Sequence, residues 1–89
     1  MSRSQFLIHG NICGERVKKA RALQDPMMKQ EDLAREINLM GMDMTAQIIS
    51  RIEKNNRHVC DAELVMLARA LHVSMDWLCG LTDESGLKI

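Results

Sequence analysis

The chain has 89 residues, 46% apolar and 27% charged, which supports one folded core and excludes two independent domains or a wholly disordered chain. A chain this size buries only about 60–65% of the surface its unfolded form exposes. Nearly every apolar side chain is therefore committed to the core, leaving little to wall a deep catalytic pocket. Twelve basic and twelve acidic side chains cancel, so bulk charge selects no partner and its distribution must be read instead.

Residues 1–24 carry +4, 25–46 carry −3, 47–60 carry +2 and 61–89 carry −3. The basic blocks are the first helical segment and the stretch holding Arg51, Lys54 and Arg57. The cysteines Cys13, Cys60 and Cys79 are odd in number and widely spaced, fitting neither a disulfide framework nor a short-spaced zinc site. They read as free thiols, Cys13 and Cys79 at apolar positions. His9, His58 and His72 have no partner at ligand spacing, so no metal and no cofactor is expected. No apolar run approaches 18 residues, and Phe6-Leu7-Ile8 is too short for a secretory core. The expectation is a cytoplasmic chain without membrane contact.

Four Val, one Phe, one Trp and no Tyr argue against a sheet, while Ala, Leu, Met, Glu, Lys, Arg and Gln fill the periodic segments. The fold is predicted to be all-α. Residues 1–10 show no period and read as an N-terminal arm. A first helix is predicted over 11–23, with Asn11 as its N-cap and Cys13, Val17 and Ala20 on one face. Asp25-Pro26 interrupts the helical pattern.

A second helix is predicted over 29–40, with Leu33, Ile37 and Met40 inward, Glu31 and Asp32 in the first turn, and Gly41 as its stop. The third begins at Thr45, a hydroxyl N-cap, and turns Ile49 and Ile52 inward. Asn55 and Asn56 end it, since both tolerate left-handed backbone. Asp61 is expected to cap a fourth helix with an apolar stripe of Leu64, Leu67, Ala68 and Leu71, and His72 at its exit. Ser74 caps a short fifth helix, 75–79, anchored by Trp77 and Leu78 and closed by Gly80. Residues 81–89 show no pattern and read as a loose tail.

Four blocks then fall in a telling order: Arg16-Val17-Lys18-Lys19-Ala20-Arg21, Gln30-Glu31-Asp32-Leu33-Ala34, Ile49-Ser50-Arg51-Ile52-Glu53-Lys54-Asn55, and Leu67-Ala68-Arg69-Ala70-Leu71-His72-Val73-Ser74-Met75-Asp76-Trp77-Leu78. Together they resemble the phage repressor and Cro type of helix-turn-helix regulator, the XRE family, over residues 14–80. The resemblance implies a five-helix, lambda-repressor-like DNA-binding domain over 11–80. It matches Thr45, Ala46, Gln47, Ser50 and Arg51 to positions that face DNA bases. Gln30 matches a phosphate clamp at the start of the second helix, and Asn55, Asn56 and Arg57 match a phosphate-facing loop. Arg21 and Glu53 match a buried or half-buried structural ion pair.

The residues support this independently. Positions 46, 47, 50 and 51 cluster on one side of a helix whose Ile49 and Ile52 point the other way. Gln47 has the donor and acceptor pair for adenine N6/N7, and Arg51 the fork for guanine O6/N7. Lys54 suits phosphate rather than base edges. The sequence departs from the family between Leu33 and Ile49, where about five extra residues surround Asn38-Leu39-Met40-Gly41-Met42-Asp43, so the connection between helices two and three is lengthened and helix two is expected to gain a turn. Met40, Met42 and Met44 read as packing around it. Lys29 replaces the usual hydroxyl cap and adds a donor within reach of phosphate. Asn55 stands where glycine is usual.

The reading is a sequence-specific regulator of double-stranded DNA, a repressor, acting as a homodimer on two half-sites. The alternative is a protein-interaction module of the same fold, such as an antitoxin or adaptor. No paired carboxylates, Cys/His arrangement or glycine-rich phosphate loop occurs at usable spacing, so no enzyme is expected.

Overall fold

The computed structural model describes residues 10–84 and Gly86. Five α-helices follow one another and no strand forms among the described residues: α1 (Gly14–Leu23), α2 (Gln30–Leu39), α3 (Ala46–Glu53), α4 (Asp61–Leu71) and α5 (Met75–Leu78). The arm read over 1–10 lies, save Gly10, outside the described residues.

Each helix starts where a side chain satisfies an otherwise unpaired backbone N–H. Asn11 Oδ1 accepts from the N–H groups of Cys13 (2.9 Å) and Gly14 (2.7 Å), doing the capping predicted for it although regular helix begins only at Gly14. Asp32 reaches back to the Lys29 N–H (2.9 Å) at α2, and Thr45 Oγ1 accepts from Ile48 N–H (3.1 Å) at α3. At α4 the Glu63 carboxylate accepts from the Cys60 N–H (3.1 Å). The N-cap position is thus Cys60, one residue before the predicted Asp61. Ser74 caps α5 by accepting from Trp77 N–H (3.0 Å).

The core gathers one stripe from each helix, its fully buried members being Val17, Leu33, Ile37, Ile49, Ile52, Leu67, Leu71 and Leu78. The eight residues of α3 would not hold a helix alone. Burial of Ile49 and Ile52, about 1.5–3 kcal/mol each, fixes α3 against its neighbours α1 and α2. Cys13 is buried as predicted, and desolvation pushes its thiol up to about 11; Cys79 is only half-buried.

Four expectations are corrected or narrowed by the structure. Helix two does not gain a turn: α2 stops at Leu39, and the extra residues form a separate connection, 40–45. Gly41 there takes a φ of 98°, and Asn38 Oδ1 accepts from the Met44 N–H (2.9 Å), so a side chain of α2 holds the loop. Met44 is buried and Met42 partly so, but Met40 turns out to solvent beside Leu39, 76% exposed, because the helix ends before it can complete the inward stripe. Of the two asparagines after α3, only Asn55 is left-handed (φ 63°). The tail is not loose at its start. Arg16, stacked 4.8 Å from the Trp77 ring centroid, donates to the carbonyls of Trp77 and Thr82 (3.0 Å each) and pairs with Asp83 (3.3 Å).

Candidate nucleic-acid interface

Helix α3 presents two unlike faces. Ile49 and Ile52 are 0% exposed, whereas Gln47, Arg51 and Lys54, at i, i+4 and i+7, stand exposed on one outer stripe. Ala46 and Ser50 lie half-exposed beside them, and Thr45, whose hydroxyl is committed to its cap, is exposed at the helix entrance. Among the described residues no side-chain hydrogen bond or ion pair engages Gln47, Ser50, Arg51 or Lys54.

The charge of this face comes from pairing behind it. Glu53, 4% exposed at its side chain, receives Arg21 in a two-pronged contact, Nε to Oε2 at 2.6 Å and Nη2 to Oε1 at 2.9 Å, with Arg21 12% exposed. Arg21 Nη1 also donates to the Met28 carbonyl (2.9 Å). With Glu53 neutralised internally, the exposed charge of α3 and its cap is that of Arg51 and Lys54. Gln30 Nε2 donates to Glu53 Oε1 (3.0 Å), so the side chain matched to a phosphate clamp is anchored to the ion pair by one of its two N–H groups. Lys29, just before it, is exposed.

The loop after α3 begins as a Schellman turn: Asn55 N–H donates to Ile52 carbonyl (3.0 Å) and Asn56 N–H to Arg51 carbonyl (2.9 Å). Asn56 is exposed. Arg57, matched by sequence to a phosphate contact, is committed elsewhere: both terminal nitrogens meet Glu63 (2.9 Å each) and one also donates to His58 carbonyl (3.0 Å). Hydrogen bonding from Arg57 holds the Glu63 carboxyl below the ordinary carboxylate range, and the same bond raises Arg57.

The sequence reading missed what fixes this end of α3. Asn11 Nδ2 donates both hydrogens, to the carbonyls of Ile52 (3.1 Å) and Arg57 (2.8 Å), while its backbone N–H donates to Asn55 Oδ1. Gly10 and Gly14 let the backbones approach: a Cβ on Gly10 would overlap the Asn55 carbonyl, and one on Gly14 the Ile52 carbonyl. Gly14, a poor helix former at the head of a helical block, was the available signal.

A capped, outward helix set across a second helix, with its acid cancelled and its cations exposed, defines a DNA-binding helix-turn-helix domain. Comparison with protein families agrees: residues 17–78, well over half the chain, match the helix-turn-helix family HTH_3. The chain belongs to that family, the XRE/Cro/C1-type regulators, and its five helices form the lambda-repressor-like fold. No curated protein and no solved structure matches it. No helix among the described residues is long and apolar enough to cross a membrane.

Proposed function

We propose that the protein is a sequence-specific transcriptional repressor that lays α3 in the major groove of double-stranded DNA. The observation that carries this reading is the opposition on α3 of fully buried Ile49 and Ile52 to exposed Gln47, Arg51 and Lys54. Gln47 reads an adenine and Arg51 a guanine, each such bidentate pair giving about 1–3 kcal/mol of discrimination. Ala46 and the Thr45 methyl meet thymine methyl groups, and Ser50 donates to a base or an adjoining phosphate.

Lys29, Gln30, Lys54, Asn55 and Asn56 meet backbone phosphates, Gln30 through its second amide hydrogen and the α2 N-terminus. Arg57 leaves this set, because its fork is filled by Glu63. A single module of this size makes few phosphate contacts, so the repressor binds as a homodimer, two half-sites being about one helical turn, roughly 34 Å, apart. Exposed Met75 and Leu81 provide one apolar surface for pairing, and Leu39 with Met40 another.

Selection of random duplex DNA on the purified protein tests the reading. A two-fold symmetric consensus, bound with steep salt dependence, is the expected result. Recovery of no enriched sequence, with co-purification of a stoichiometric protein partner, would favour an antitoxin or adaptor role instead.

A further inference from the structure

We propose that Asn11, which lies outside both helices of the helix-turn-helix, is the positioning residue for the phosphate-facing loop, residues 54–57; this rests on the DNA-binding reading above. Its side chain has three functions of distinct geometry. Oδ1 caps α1 through Cys13 and Gly14 N–H. One Nδ2 hydrogen holds the Ile52 carbonyl at the last turn of α3, and the other holds the Arg57 carbonyl at the far end of the loop. The loop is therefore stapled at both ends by one amide, 41 and 46 residues away in sequence.

The two ends differ in what else secures them. The Ile52 carbonyl also accepts from Asn55 N–H (3.0 Å), so the α3 end keeps a bond without Asn11. Across the loop the Asn11 backbone N–H holds Asn55 Oδ1, and Gly10 admits the Asn55 carbonyl at a distance no Cβ would allow. Both Nδ2 hydrogens and the side-chain oxygen are committed inside the protein, so Asn11 has no donor left for a phosphate. Its effect on DNA passes through Lys54 and Asn56, whose exposed side chains are carried by the backbone it holds.

Asn11→Ser separates these functions, because serine keeps an oxygen that caps α1 and has no amide to staple the loop. The variant is compared with wild type by thermal melting, by backbone amide exchange of Asn55 and Asn56 in the free protein, and by binding to the selected operator and to random duplex across salt concentrations. The expected result is a folded protein with faster exchange at those amides. Operator and random duplex should both bind about 3–10-fold more weakly, and the salt slope should fall by about one, the amount expected for one lost phosphate contact.

Mere destabilisation would leave the slope of the folded fraction unchanged. Wild-type affinity and slope in Asn11→Ser would overturn the proposal while leaving the DNA reading intact, whereas wild-type protein that binds no duplex would end both. Should the serine variant melt below working temperature, Asn11→Asp, a strong cap that likewise lacks N–H donors, carries the exchange measurement; unchanged protection of Asn55 and Asn56 in it would also overturn the proposal.

Discussion

Arg21 and Glu53 form a two-pronged ion pair that joins α1 to the end of α3, with the glutamate side chain only 4% exposed and the arginine 12%. Gln30 completes it from α2, so one carboxylate collects donors from two helices besides its own. The pair is placed behind the outward face of α3 and sets that face's charge without joining it.

Arg21→Ala should therefore act through folding. Removing one member of a buried pair leaves the other charged and unmatched, which costs about 3–5 kcal/mol. A domain of this size loses roughly 4–8 °C of melting temperature per kcal/mol. Replacing both residues together with methionine should cost less than Arg21→Ala alone, since no charge is then stranded. A double variant melting below the single one would show that the stranded carboxylate is not the main cost of Arg21→Ala.

How much of this was legible in the sequence follows from which interactions are local. Caps, apolar stripes and stops are fixed within a few residues, so Thr45, Ser74, Ile49, Ile52 and the five helices were readable directly. The Arg21–Glu53 pair came from the family resemblance, since its partners are 32 residues apart. Arg57 is the complementary case: a basic residue in a loop reads as available to phosphate, and its pairing with Glu63, six positions on, shows only in the structure. The approach of Gly10 and Gly14 to the end of α3 leaves no signal in the sequence but the glycines themselves, of which Gly14 at the head of a helix is the more telling.

Gly14→Ala tests that approach. Alanine favours helix over glycine by about 1 kcal/mol, so propensity alone predicts stabilisation. The added methyl, however, would overlap the Ile52 carbonyl and sit close to Glu53 Cα, both backbone atoms that can yield only if α1 and α3 separate. Overpacking of this kind costs about 1–3 kcal/mol, which outweighs the propensity gain. Urea denaturation should show a lower midpoint with an unchanged m-value. A midpoint at or above wild type would mean the two helices are less tightly apposed.

The Arg57–Glu63 pair gives stability a pH dependence of known sign. Hydrogen bonding from Arg57 lowers the Glu63 pKa in the folded protein. Its contribution is fully present above the unfolded glutamate value, about 4.3, and is lost as pH falls through the lower folded value. Thermal melts of wild type and Glu63→Gln should therefore differ most near neutral pH and converge as the solution is acidified below about pH 4. Parallel curves down to about pH 3 would show that the carboxylate's ionisation adds nothing to the fold.

Arg51 and Lys54 share one exposed stripe of α3, yet their expected losses differ in kind. The guanidinium of Arg51 can grip guanine O6 and N7 together, so Arg51→Ala should weaken the selected operator by about 1–3 kcal/mol and relax preference at one base pair. Lys54, a single flexible charge at the C-cap of α3, should hold phosphate. Lys54→Ala should weaken operator and random duplex alike and flatten the salt slope by about one. Both side chains are exposed, so neither variant should shift the melting temperature appreciably. Titrating wild type and both variants against the operator, a single-base substitute and random duplex at several salt concentrations separates the two roles. If Lys54→Ala changes which base is preferred, or Arg51→Ala weakens every duplex equally, α3 enters the groove at a different angle from the one its exposed stripe implies.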